Sequence, residues 1–175
     1  MKNTTQNYGW VAKSLHWMSA VVVIGMFASG WWMVELNYYS DWYRTAPFIH
    51  KSVGVLLLLL TLARLCWKAS NMSPDAVGNA FEQFMAKAAH TVLYLLIVVI
   101  CVSGYLISTA DGRGIEVFNW FVLPSFGELF SQQADTAGLI HKYSAYGLMG
   151  LGLLHALAAL KHHFIDKDNT LKRML

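Results

Sequence analysis

Four long apolar stretches, parted by connections in which charged and turn-forming residues gather, run along the chain at about 12–34, 48–67, 86–108 and 137–162. Each has the roughly 20 apolar residues that a helix needs to cross a bilayer. The pattern predicts an all-α protein, an integral membrane four-helix bundle that occupies residues 1–175 as a single transmembrane domain and leaves no room for a second. The first stretch is too long for the apolar core of a signal peptide, and no small-residue cleavage pattern follows it. It is expected to be a retained span in a chain that begins near Met1.

The third connection, around 109–136, is long for a loop in so small a bundle and mixes Gly turns with an apolar VFNWFVL segment. A short helix lying on the periplasmic surface is the expectation for it, with a packed lid as the alternative. No internal repeat or low-complexity tract is evident.

Composition agrees with the hydropathy pattern: 56% of residues are hydrophobic and 13% charged, with a mean hydropathy of +0.42, unlike a soluble domain of this size. The net charge of +3 is informative through its distribution. Glu35, Asp41 and Arg44 in the first connection, and Asp111, Arg113, Glu116, Glu128 and Asp135 in the third, are acidic on balance. Lys2 and Lys13 before the first span, Arg64, Lys68 and Lys87 around the second connection, and Lys161, Lys167, Lys172 and Arg173 after the fourth span are basic. The positive-inside rule then puts both termini in the cytoplasm. Most of the seven tryptophans fall near span ends, as in an interfacial belt anchored in membrane lipid. No basic stripe interleaved with aromatics points to nucleic acid. Cys66 and Cys101 are far apart and form no CxxC motif, and both are expected to be buried structural residues.

The chemistry lies in the histidines. His141 and His155 are fourteen residues apart in the last span, nearly four whole turns, so both leave one helix face about 21 Å from each other. Alternating span direction gives the depth of the others. His50 begins the second span on the periplasmic side, level with His141, and His16 begins the first on the cytoplasmic side, level with His155. Two depth-matched pairs suit the axial ligation of two b-type haems stacked across the membrane. Gly25, Gly30, Gly54, Gly147 and Gly150 leave room for a porphyrin or for tight helix packing. Structural zinc needs four ligands in one tight tetrahedron, and the two pairs are most of a hydrocarbon core apart.

Other residues could serve such haems. His90 lies at the depth of His16 and is expected to be a hydrogen-bond donor beside the inner haem, to a propionate for example, with inner-pair ligation as the alternative. Arg64 could pair with a propionate or snorkel to lipid headgroups. Lys51 could meet a propionate or a periplasmic anion, and Lys142 adds a second positive charge at that level. His162 and His163 are interfacial, and His162 could donate to a quinone carbonyl.

Together LHW at Leu15 to Trp17, IHKSVG at Ile49 to Gly54, RLCW at Arg64 to Trp67, HTVLYLL at His90 to Leu96, SGYL at Ser103 to Leu106, LH at Leu154 and His155, and the tail ALKHHFIDKDNTLKRML resemble the bacterial di-haem cytochrome b561 family, relatives of hydrogenase and formate dehydrogenase cytochrome b subunits. The resemblance covers nearly the whole chain. It implies His16, His50, His141 and His155 as haem-iron ligands in a multi-pass protein of the bacterial inner membrane. In one branch it implies oxidation of superoxide coupled to reduction of ubiquinone. The acidic STADGRGIEVFNW connection departs from that branch and leaves the periplasmic electron donor open between superoxide and a redox protein. Three classes of function follow: a quinone-reducing oxidoreductase, a haem-bearing anchor subunit that relays electrons from a docked partner, and a non-redox membrane protein, which the paired histidines disfavour.

Overall fold

A computed structural model describes residues 2–175. It contains α1 (Trp10–Val34), α2 (Thr45–Ser70), α3 (Ala80–Thr109), a two-stranded hairpin of β1 (Ile115–Val117) and β2 (Phe121–Leu123), and α4 (Gln133–Phe164). All four helices are long and apolar enough to cross a membrane. At 32 residues α4 measures about 48 Å, longer than a hydrocarbon core of roughly 30 Å, so its ends carry polar residues. The helices are apolar on nearly every side, as spans in lipid must be; Val21 of α1 and Leu153 of α4 are 68% and 62% exposed.

Local chemistry marks the helix boundaries. Pro47 sits in the first turn of α2, where its missing N–H costs no helical bond. Asn79 and Glu82 form a reciprocal capping box at the start of α3, each side chain accepting the other's backbone N–H at 3.0 Å. Gly78 precedes it at φ +85°, where a Cβ would lie 2.6 Å from the Glu82 carboxylate. The bundle is ordered α1, α2, α3, α4, with neighbours packed in that sequence and α1 touching α4 least. Leu57, Ile97 and Leu148 form its centre, flanked by Val22, Met26 and Ile100. Cys101 is half-buried and its thiol points to the Gly54 carbonyl at 3.7 Å. Cys66, expected to be buried, is exposed on the outside of the bundle, where a thiol is apolar enough to face lipid.

No helix forms over the VFNWFVL segment; it folds as the antiparallel hairpin, with Ile115 opposite Leu123 and Val117 opposite Phe121. The cause is a short alternation: Ile115 and Val117 are buried and Glu116 between them is exposed, the period of a strand. Phe118 and Asn119 both take positive φ in the turn, which the Trp120 N–H closes onto the Val117 carbonyl at 2.8 Å. Beyond the hairpin, buried Gln133 pins the chain by donating to the Leu106 carbonyl and accepting from Leu129 N–H.

At the opposite end of the bundle the two terminal segments meet the α2–α3 connection. Asn3 donates to the Met72 carbonyl, Asp75 N–H to Thr5, and Arg173 to Asp75. Trp17, next to His16, donates its indole N–H to the Met174 carbonyl at 2.8 Å. Both termini thus lie at one end and the hairpin at the other.

Candidate functional site

The structure brings the four depth-matched histidines together in two pairs. His50 and His141 face each other at the hairpin end with ring centres 6.3 Å apart, and His16 and His155 do so at the terminal end, also at 6.3 Å. An imidazole nitrogen lies about 2 Å from a first-row metal and roughly 1.2 Å from its own ring centre, so two rings on opposite sides of one iron are centred roughly 6–6.5 Å apart. Both pairs fit that spacing. His90 lies 5.2 Å from His155, too close to be its opposite ligand; it flanks the terminal-end pair as a third imidazole.

Glycines make the hairpin-end pair possible. A Cβ on Gly30 of α1 would come within 3.3 Å of the His50 ring, and one on Gly104 of α3 within 3.2 Å of His141. Gly104 escaped the sequence reading as a site residue, although it lies in the SGYL motif. Gly25, Gly147 and Gly150 face open space, where an added Cβ would meet nothing within 4 Å.

Hydrogen bonds orient the rings. His141 Nδ1 lies 2.9 Å from the Ile100 carbonyl, which can only accept, so Nδ1 carries the proton and Nε2 keeps its lone pair. Ser29 donates its hydroxyl to the Met26 carbonyl, and its oxygen therefore accepts from His50 Nδ1 at 3.1 Å. The hairpin-end pair thus presents two bare Nε2 atoms, the donor set for a metal. His16 differs. Its Nδ1 accepts from Arg64 at 2.7 Å, so the proton of a neutral ring sits on Nε2. Arg64, expected at a propionate or a headgroup, lies between His16 and the face of Tyr94, 5.1 Å from the ring centre.

A cavity of about 730 Å³ opens beside the hairpin-end pair, lined by His50, His141 and Lys51 together with Asp111, Arg113 and Glu116. Its size is in the range of cofactor sites. Asp111 and Arg113 form an exposed ion pair, and the Arg113 side chain holds the Asp111 carboxyl below the usual carboxylate range.

At the terminal end His162 Nδ1 lies 2.7 Å from Asp168 and 3.1 Å from Asp166, leaving Nε2 as its free nitrogen. Partial burial disfavours the ionised Asp168, but the Thr170 backbone N–H and His162 outweigh it and hold that carboxyl below its ordinary value. Glu82, His162 and Asp166 could hold a metal by distance, but Lys161 already bridges Glu82 and Asp166 at 2.7 and 2.8 Å.

A four-helix membrane bundle with two facing histidine pairs spaced along its axis has the architecture of a membrane b-type cytochrome. The model of one such family, prokaryotic cytochrome b561, matches residues 7–175. The chain belongs to the prokaryotic cytochrome b561 family. Cytochrome b561 homolog 2 of Escherichia coli is 47% identical over 175 residues, 99% of this chain and 93% of that protein. The probable superoxide oxidase CybB of Yersinia pestis is 29% identical over 180 residues, 97% and 96% of the two chains. Cytochrome b562 of Cereibacter sphaeroides is 29% identical over 167 residues, 93% and 90%. The protein is therefore a multi-pass protein of the bacterial inner membrane that carries haem b and serves transmembrane electron transfer.

Proposed function

We propose that His50 with His141 and His16 with His155 are the axial ligands of two b haems in a single transmembrane domain with both termini in the cytoplasm. Electrons enter singly from a periplasmic donor at the hairpin end and leave to ubiquinone near the terminal end. The observation that carries this reading is the equal 6.3 Å spacing of two histidine pairs, set about 21 Å apart by the α4 register. Bound haem supplies the one-electron ferric–ferrous couple.

The residues divide the remaining work. Ser29 and the Ile100 carbonyl keep Nε2 of the hairpin-end pair free of protons. His16 would offer its Nε2 lone pair once Arg64 releases Nδ1 and the ring proton moves from Nε2 to Nδ1; a haem propionate would be the carboxylate that competes for that guanidinium. His90 is a hydrogen-bond donor beside the same centre. His162 contacts quinone through Nε2, because Asp168 engages Nδ1. Two one-electron donations and two protons convert a quinone to its quinol.

Superoxide is the donor favoured by Lys51 at the cavity and by Lys142 beside His141. Each superoxide gives up one electron and becomes dioxygen. The second reading, a relay for a docked redox protein, is supported by the mixed charge of the cavity, where Asp111 and Glu116 offset Lys51 and Arg113. Stopped-flow reduction of the isolated protein by superoxide, followed by reoxidation with ubiquinone, separates the two. The oxidase reading expects fast reduction that slows as salt screens the lysines over about 8–10 Å. Absence of reduction at every salt concentration rejects superoxide and leaves the docked partner.

A further inference from the structure

We infer that Ser52 is a positioning residue that clamps the β1–β2 hairpin over the His50–His141 pair and so sets how much water reaches that centre. The inference rests on the reading of this pair as haem ligands.

Ser52 is fully buried on α2, two residues after His50. The other buried hydroxyls on the helices, among the described residues, bond back to their own helix four residues earlier: Ser19 to Leu15, Thr61 to Leu57, Ser103 to Val99 and Thr109 to Tyr105. That is the ordinary use of a hydroxyl in a helix. Ser52 instead reaches out of its helix. Its Oγ donates to the Glu116 carbonyl and accepts the Phe118 N–H, both at 3.2 Å. The two bonds straddle Val117, which is also fully buried. Phe118 packs edge-on against Phe48, on the same side of α2, with ring centres 6.2 Å apart.

One hydroxyl therefore satisfies two backbone groups of a hairpin that has few other partners, since the sheet has two strands only. An isolated hairpin of this length is not stable by itself. Held by Ser52, its residues Ile115, Glu116 and Leu123 wall the same cavity that His50, His141 and Lys51 line. Gly114 closes the hairpin from the other side: a Cβ there would lie 2.6 Å from the Leu123 carbonyl oxygen and 2.7 Å from a Val122 methyl.

Water stabilises the oxidised centre, which carries one more positive charge, so opening the wall should lower the potential of that haem alone. The test uses the full-length, haem-loaded protein in lipid nanodiscs. In Ser52→Ala, amide exchange at Phe118 should accelerate, and the midpoint potential of one haem should fall while the other stays in place. Gly114→Ala disturbs the hairpin without touching α2, and should move the same potential in the same direction. Unchanged exchange at Phe118 in Ser52→Ala overturns the clamp. Faster exchange with both potentials unchanged overturns the link to the centre, as does a Ser52→Ala shift that Gly114→Ala fails to reproduce. A wild-type haem count below two would reject the ligand reading instead, and Phe118 exchange would still judge the clamp.

Discussion

Glycine 104 shows how much a single missing methyl group can decide. His141 rests against its bare α-carbon, and a Cβ would approach the ring at 3.2–3.3 Å, tight enough that the neighbour must give. His50 rests in the same way against Gly30, so each histidine of the hairpin-end pair is seated on a glycine of another helix. The terminal-end pair is held differently, by Arg64 on His16 and by His90 beside His155. Enlarging position 104 should therefore affect one pair and spare the other. Gly104→Ala is expected to keep both haems with an altered spectrum for one, and Gly104→Val to lower the content from two haems per chain to one. A pyridine haemochrome assay against protein concentration measures both. Loss of both haems in the valine variant would mean that the two pairs are not independent.

At the scale of elements, α4 carries one member of each pair, and its register is the property on which both depend. Inserting one alanine after Met149 turns everything beyond it by about 100° and advances it by about 1.5 Å. One of the two histidines must then leave its partner, and the expected outcome is a protein that retains a single haem by the same assay. Two haems in the insertion variant would mean that the helix absorbs the extra residue as a bulge. This register was legible in the sequence because it needs only helical periodicity, and the four helices were legible because their apolar runs are long. The hairpin was not. Its strands have three residues each, and the continuous apolar run Trp120 to Leu123 hides the buried–exposed–buried alternation of Ile115 to Val117. Its turn places Phe118 at positive φ, which local propensity disfavours and which the Ser52 contact stabilises from a distant part of the chain. Gly104 was hidden for another reason: in a span, a glycine that seats a side chain reads the same as one that packs helices in lipid. Arg64 could be placed by depth, but its contact with His16 is visible only in three dimensions.

Across the whole molecule, the two ends differ in kind. One gathers the termini, the α2–α3 connection and the basic tail into a hydrogen-bonded cluster, and the other carries the acidic connections and the hairpin. The charge asymmetry predicts that the first end faces the cytoplasm. A green fluorescent reporter fused after Leu175 should fluoresce, and an alkaline phosphatase fusion at the same point should be inactive; the reverse result would invert the direction of electron entry. The arrangement of the pairs also imposes an order on biosynthesis. Both draw one member from α4, which follows the other three helices along the chain, and Trp17 in α1 bonds to Met174 in the segment after α4. A nascent chain with only α1 to α3 inserted has neither histidine pair, so on the proposed ligation haem capture waits for α4. On that reading, chains that stop short of α4 are expected to be colourless, so bound iron porphyrin distinguishes a copy that has α4 in place from one that lacks it.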